Sequence, residues 1–410
     1  MTKLGVLFSV LGVGAGCIPA FAQKQLPNII VMLSDDQGWG DLGFTGNTFV
    51  QTPNIDRIAH EGTILENFYV CPVSSPTRAE FLTGRYHVRS GVNSTTGGGE
   101  RFNLGEKTIA EYFREAGYAT SLFGKWHSGT QYPYHPNARG FEEFYGFCSG
   151  HWGNYWNPVL EHNGEIISGE GFIIDDLTDK ALDYIRDHKE HPFFMFLSYN
   201  TPHSPMQVPD SWWNRVKDRT LSQRATFPEQ EDTTFTKAAL ALAENLDWNI
   251  GRVLSLLHSL DLEQETIVIY FSDNGPNSFR WNGGMKGRKG STDEGGVRSP
   301  FCIRWPGHIR KGAVETQLSG AIDLIPTLLG LAGIEYTPLR KLDGIDWGQR
   351  LLDEKAPAMD RVLYSYWGGK TSVRIPYYLL DAEGYLYKTD IDREQRKDVS
   401  DKEPKKYMSG

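Results

Sequence analysis

Ser74 opens a short pattern, Ser74-Ser75-Pro76-Thr77-Arg78, that places a hydroxyl, a proline and an arginine at the spacing of a first helical turn. Pro76 suits that turn, because the amide it lacks would have no partner there. Arg78 lies one turn beyond Ser74 and can reach back to it, and a helix start favours negative charge. Phe81 and Leu82 would bury such a helix and Gly84 would end it. A nucleophile beside a fixed cation suits an anionic substrate. Other chemistry-bearing residues fall just past apolar runs. Asp35 and Asp36 follow Asn28–Ser34, and Asp273 with Asn274 follows Thr266–Ser272; their oxygens are hard donors fit for Ca2+ or Mg2+. Lys125 and His127 close the run 117–127. Alternation in a strand would point them to one side, where together they could bind an anion and move a proton. His203 comes soon after the run 192–199, and Lys289 stands in a glycine-rich basic loop with Lys286, Arg288 and Arg298.

Residues this scattered need a frame that brings strand ends together. The runs at 28–34, 117–127, 192–199 and 266–272 are apolar almost throughout, as strands buried on both faces are, and helical patterns separate them. That alternation predicts an α/β sheet covered by helices on both faces, with its ligands beyond the carboxyl ends of the strands. Helices are predicted from Thr52 to about His60, from Thr108 to Ala116, from Gly171 to Lys189, from Thr233 to Leu260 and from Ala321 to Ala332, and a short strand over 68–70. Residues 95–100 read as a glycine-rich loop without the Lys-Ser/Thr of a phosphate loop. The stretch 132–157, rich in aromatics, His and Gly, is expected to be a loop excursion. Its His151, Trp152, Tyr155 and Trp156 are candidates for stacking on a sugar, although packing under a loop explains them as well. After about Gly344 the texture turns to short strands of a small antiparallel sheet.

The 410 residues, 39% hydrophobic and 23% charged, describe an ordinary globular protein with room for a large core. A net charge of −9 argues against nucleic acid as the partner. Residues 1–22 have the form of a secretory leader. Lys3 heads an apolar stretch too short for a bilayer, and Ala20-Phe21-Ala22 offers a cleavage site, so export to the periplasm or medium is expected. Lipidation at Cys17 is the alternative, disfavoured by Gly14. The other cysteines, Cys71, Cys148 and Cys302, have no metal-type spacing and no disulfide framework.

Taken together, these segments resemble the formylglycine-dependent type I sulfatases of the alkaline phosphatase superfamily, in the serine-type form found among bacterial carbohydrate sulfatases. Residues 72–84 fit the first family signature throughout and set its frame on Ser74 rather than Cys71. Residues 117–127 fit the second except at Phe123, where a smaller residue is usual. The Asp35-Asp36, Asp273-Asn274, Thr201-Pro-His-Ser-Pro, Lys289-Gly-Ser-Thr-Asp-Glu-Gly-Gly and Asp323-Leu-Ile-Pro-Thr segments occur in family order. The resemblance implies a large mixed, mostly parallel sheet of the alkaline-phosphatase type over residues 23–343, and a small C-terminal subdomain over 344–410, ending soon after a variant closing motif at Asp392. It implies that a serine-type maturase oxidises Ser74 to formylglycine (3-oxoalanine). Asp35, Asp36, Asp273, Asn274 and the converted Ser74 would hold one Ca2+ or Mg2+. Arg78, Lys125 and Lys289 would offset charge on the sulfate and nucleophile, His203 would protonate the leaving alcohol, and His127 would release the sulfate as base. A sulfated carbohydrate is the implied substrate.

Two other readings stay open on the residues alone. One is a phosphate or phosphonate ester hydrolase on the same scaffold, against which Lys125, Lys289 and the Ser74 pattern count. The other is a glycan-binding protein with Ser74 left unoxidised.

Overall fold

The computed structural model describes residue 1 and residues 26–401; residues 2–25, with nearly all of the expected leader and Cys17, and residues 402–410 lie outside the described residues. Twelve strands precede residue 321 in chain order: β1 (Asn28–Ser34), β2 (Thr63–Leu65), β3 (Phe68–Tyr69), β4 (Ala119–Lys125), β5 (Glu143–Phe147), β6 (Val159–His162), β7 (Glu165–Ser168), β8 (Phe193–Ser198), β9 (Thr266–Ser272), β10 (Phe301–Arg304), β11 (Ala313–Glu315) and β12 (Ser319–Gly320). All but β3 and β12, which pair with each other, form one ten-stranded sheet in the order β11-β2-β10-β9-β1-β8-β4-β5-β6-β7. The middle, β9-β1-β8-β4-β5, is parallel, while β10 and β6 join it antiparallel.

The four apolar runs singled out above are the four adjacent central strands. Each is buried along nearly its whole length, and this accounts for the missing polar alternation. Successive β1 side chains feed two cores. Ile29, Val31 and Leu33 pack with Phe81, Ile109 and Leu328 on one face; Ile30 and Met32 pack with Leu177, Leu246 and Ile250 on the other. Helices Ser74–Thr83, Ile109–Glu115 and Leu324–Ala332 cover the first face; Pro53–Glu61, Ile173–Asp187 and Thr233–Ser259 cover the second. Local signals set several ends. Thr108 and Glu111 close a capping box, Asp232 accepts from the amides of Thr234 and Phe235, and Gly84 ends its helix in the left-handed region at φ +67°.

Register brings the site residues level. Ser34 pairs with Ser272, Leu33 with Ser198 and Gly124 with Ser198, so the central strands stop at one height. Residues 132–157 are not wholly a loop. They contain β5, which pairs in parallel with β4. Strand formers Phe144, Tyr145 and Phe147 favour it, and glycines at 124 and 146 let the two backbones meet: a Cβ on Gly146 would lie 2.0 Å from the Gly124 carbonyl oxygen. Near the C-terminus, β13 (Leu363–Trp367), β14 (Lys370–Ile375), β15 (Tyr378–Leu380) and β16 (Leu386–Lys388) form a four-stranded antiparallel meander. Cys71, Cys148 and Cys302 are buried free thiols. Among the described residues no helix is long and apolar enough to cross a membrane.

Candidate active site

Ser74 is the first residue of a helix buried from end to end, Ser74–Thr83, whose start abuts the ends of the central strands. Its hydroxyl oxygen accepts from Arg78 Nε at 2.9 Å and lies 3.1 Å from His127 Nδ1. The far nitrogen of that ring, Nε2, is 2.9 Å from the Thr95 carbonyl oxygen. A carbonyl only accepts, so Nε2 carries the proton. Burial, and then the Lys125 charge, push the imidazole well below its ordinary value, so the ring is neutral. Nδ1 is therefore a lone pair facing the Ser74 hydroxyl, the tautomer of a base.

Arg78 is fully buried and ties this helix to three strand ends. Its guanidinium donates to the Lys125 carbonyl at 3.0 Å, to Ser198 Oγ at 2.5 Å and to Asp273 Oδ2 at 3.1 Å. Lys125 Nζ is 2.5 Å from Asp35 Oδ2, and Lys289 Nζ is 2.6 Å from Asp36 Oδ1. Burial, the largest influence, pushes the Asp35 carboxyl up, but the charges of Lys125, His203 and Arg78 together outweigh it and hold the group ionised, below the usual carboxylate range. Asp36 sits beside Asp273, whose Oδ1 accepts the Asp36 amide at 3.2 Å, and its Oδ1 accepts from Asn274 Nδ2 at 2.8 Å.

Two oxygens in this nest have no hydrogen-bond partner: Asp35 Oδ1 and Asn274 Oδ1, both fully buried. An orphaned buried acceptor is costly. Here both belong to a set of carboxylate and amide oxygens from Asp35, Asp36, Asp273 and Asn274. That donor chemistry fits a hard divalent cation, and nothing in it suits a softer metal. Three carboxylates face the three fixed cations Arg78, Lys125 and Lys289, so a bound dication would leave the site positive and fit for an anionic ester.

His203 lies on the open side, with Nε2 3.5 Å from Asp36 Oδ2 and Nδ1 2.7 Å from the Ser204 carbonyl. The structure thus gathers all ten residues expected at the catalytic and metal centre: Asp35, Asp36, Ser74, Arg78, Lys125, His127, His203, Asp273, Asn274 and Lys289. Strand alternation does not place His127, however. β4 stops at Lys125, and His127 turns to the left-handed region at φ +59° while its amide bonds the Cys148 carbonyl. Asp36 is likewise left-handed, at φ +64°. Non-glycine residues held there sit at a local cost that recurs at functional sites.

The aromatic loop divides. His151 is exposed, with its ring parallel to that of His203 at 6.2 Å. Trp152 is stacked on Phe147, and Trp156 leans on Phe172 with one side open. Tyr155 is a correction: it is fully buried, and its hydroxyl donates to the His203 carbonyl at 2.6 Å, so it braces the His203 turn and cannot stack on a sugar. The glycine-rich 95–100 segment reads as a plain loop in sequence, yet its Thr95 carbonyl orients His127, and Ser75 Oγ donates to the adjoining Ser94 carbonyl at 2.9 Å. Thr77 and Ser198 also belong to the site without any signal of their own in sequence spacing. Thr77 Oγ1 donates to the Asp273 carbonyl at 2.6 Å, inside the very pattern that flagged Ser74. Backbone carbonyls and small hydroxyls leave little trace in sequence.

The chain is similar to known sulfatases. A family model described as Sulfatase matches residues 27–334, and one described as N-sulphoglucosamine sulphohydrolase, C-terminal, matches residues 289–397. N-acetylgalactosamine-6-sulfatase of Mus musculus is 32% identical over 402 residues, covering 89% of this chain and 72% of that protein. The solved structure of Ps i-CgsB in complex with k-i-k-neocarrahexaose superposes with a TM-score of 0.81 at 30% identity, covering 92% of this chain and 89% of that one. BT4656 in complex with its substrate D-glucosamine-2-N, 6-O-disulfate shares the fold, with a TM-score of 0.74 at 22% identity over 92% and 94% of the two chains.

Proposed function

The chain belongs to the sulfatase family and is a sulfuric ester hydrolase, and from that premise we propose that it cleaves sulfate esters of a sulfated glycan at Ser74, after a maturase has converted that residue to formylglycine. The glycan assignment draws on the sugars named for the similar proteins, and on the exposed His151 ring that lies parallel to that of His203. The observation that carries the mechanism is the Ser74 oxygen held between Arg78 Nε and the lone pair of His127 Nδ1.

Asp35, Asp36, Asp273 and Asn274 would hold a Ca2+ or Mg2+, whose charge would draw the ester oxygens in and polarise the bond to sulfur. Formylglycine supplies a pair of hydroxyls on one carbon, one to attack sulfur and one whose deprotonation frees the sulfate. An unconverted serine lacks the second hydroxyl and completes one turnover at most. His127 takes protons at the Ser74 position through Nδ1, and Thr95 keeps it in that tautomer. Arg78, Lys125 and Lys289 stabilise charge on the nucleophile and on the sulfate oxygens. His203 donates its Nδ1 proton to the Ser204 carbonyl, so it can protonate the leaving alcohol from Nε2, on the open side, only as the doubly protonated imidazolium.

Peptide mass over residues 71–85 of protein made with a serine-type maturase should fall by about 2 Da, the mass of two hydrogens. That protein should hydrolyse one of a panel of sulfated monosaccharides far faster than the matched phosphate ester. Ser74→Ala should lose more than about 1,000-fold of that activity while folding normally. Full activity in Ser74→Ala would sink the proposal.

A further inference from the structure

Ion pairing on this protein is close to complete for arginine, and the exceptions are placed unevenly. Among the described residues, every arginine but Arg101, Arg114 and Arg288 lies within ion-pair reach of a carboxylate. Arg114 sits in the helix Ile109–Glu115, just before the amino end of β4 and so at the end of the sheet away from Ser74. The other two border the site. Arg101 closes the glycine-rich loop whose Thr95 carbonyl holds His127, and its side chain runs along Gly129, two residues past His127; a Cβ there would be 3.0 Å from Arg101 Cγ. Arg288 precedes Lys289, whose ammonium holds Asp36.

Both guanidiniums are exposed and held in the same way. Arg101 lies over the Tyr134 ring at 4.9 Å and donates Nε to the Gly98 carbonyl at 3.0 Å. Arg288 lies over the Phe279 ring at 4.8 Å and donates Nη1 to the Asn277 carbonyl at 3.3 Å. The carboxylates that could neutralise them are turned elsewhere: Glu100 accepts the Gly98 amide at 2.8 Å, and Asp293 pairs with Lys286 at 3.2 Å. Ring and carbonyl limit the motion of each cation without cancelling its charge, and leave its other N–H groups facing solvent. On a chain of net charge −9, two restrained, unneutralised cations beside a site for an anion are a local field of opposite sign.

We propose that Arg101 and Arg288 form a second anion-binding tier around the active site, which grips further sulfate groups on the sugars flanking the one being desulfated. The preferred substrate is then a multiply sulfated oligosaccharide rather than an isolated sulfated sugar. This rests on the sulfatase function proposed above and adds the size and charge of its substrate.

The test uses matured protein and two kinds of substrate: the singly sulfated monosaccharide that the wild type turns over, and the hexasaccharides k-i-k-neocarrahexaose and chondroitin 6-sulfate. Arg101→Ala/Arg288→Ala should lose at least about tenfold in kcat/KM on an accepted hexasaccharide, mostly through KM. On the monosaccharide it should stay within about twofold of the wild type. Arg101→Lys/Arg288→Lys should recover part of the loss, and added salt should shrink the gap between wild type and the alanine variant. Equal losses on both kinds of substrate, no loss on the hexasaccharide, or a wild type that turns over the monosaccharide but neither hexasaccharide would each overturn the second tier and leave the sulfatase function standing. A wild type inactive on every sulfated sugar overturns that function and the tier with it.

Discussion

Ser74 and Glu80 share one buried helix and meet opposite surroundings. The Ser74 hydroxyl faces a guanidinium and an imidazole lone pair, whereas the buried Glu80 carboxyl meets the Cys71 thiol and the His87 amide, the latter at 3.2 Å. Burial pushes the Glu80 carboxyl up to about 8. An unfolded glutamate titrates near ~4.3, so the folded state favours the protonated form. Its contribution to stability is therefore complete below the unfolded value and is lost as pH rises through about 8. Glu80→Gln removes this titration. Urea unfolding between about pH 5 and pH 9 should show the wild type losing a few kcal/mol that the variant keeps; parallel curves would show that Glu80 is not the group responsible.

Elements carry the site through their ends. Arg78 joins the helix Ser74–Thr83 to β4, β8 and β9 by way of the Lys125 carbonyl, Ser198 and Asp273, so the nucleophile's position is set by strand register as much as by its own helix. The turn after β5 sets the other half. A Cβ on Gly150 would lie 2.5 Å from His127 Nε2, the atom that must reach the Thr95 carbonyl. Gly150→Ala should thus displace the ring and lower kcat by about 10–100-fold, with the unfolding midpoint little changed, because positioning errors near one ångström are expensive in rate. A variant with normal kcat would show that the contact with the Thr95 carbonyl does not position His127.

At the scale of the whole molecule, the C-terminal meander reaches the site through one loop. Arg374 on β14 donates to the Thr292 carbonyl at 2.8 Å and lies 3.5 Å from Glu294, a fully buried carboxylate. Gln395 bonds Asp293 and the Glu294 amide, and the Arg393 carbonyl accepts the Lys286 amide. The closing segment thereby braces residues 286–298, which carry Lys289 and Arg288. Arg374→Ala leaves Glu294 with fewer partners. It should cost about 3 kcal/mol of stability and raise KM, read by thermal unfolding and by kinetics on the same sulfated substrate. Lost stability with an unchanged KM would mean that the meander only supports the fold.

Much of this was legible in the chain itself, because strands buried on both faces must be apolar along their length and because short catalytic patterns keep their spacing. The four central strands, the residues at their ends and the Ser74 helix all follow from those two facts. β5 was hidden, since its aromatics and glycine resemble loop composition until a neighbouring strand supplies a partner. Tyr155 differs from its sequence reading for a related reason: a tyrosine next to exposed aromatics reads as a platform, and only packing shows that it is buried under the His203 turn. The tautomer of His127, the orphaned oxygens of Asp35 and Asn274, and the unpaired charge of Arg101 and Arg288 could not be read in advance. Each depends on which distant backbone carbonyl or carboxylate comes within bonding distance, and such pairings exist only once strands far apart in sequence have been laid side by side.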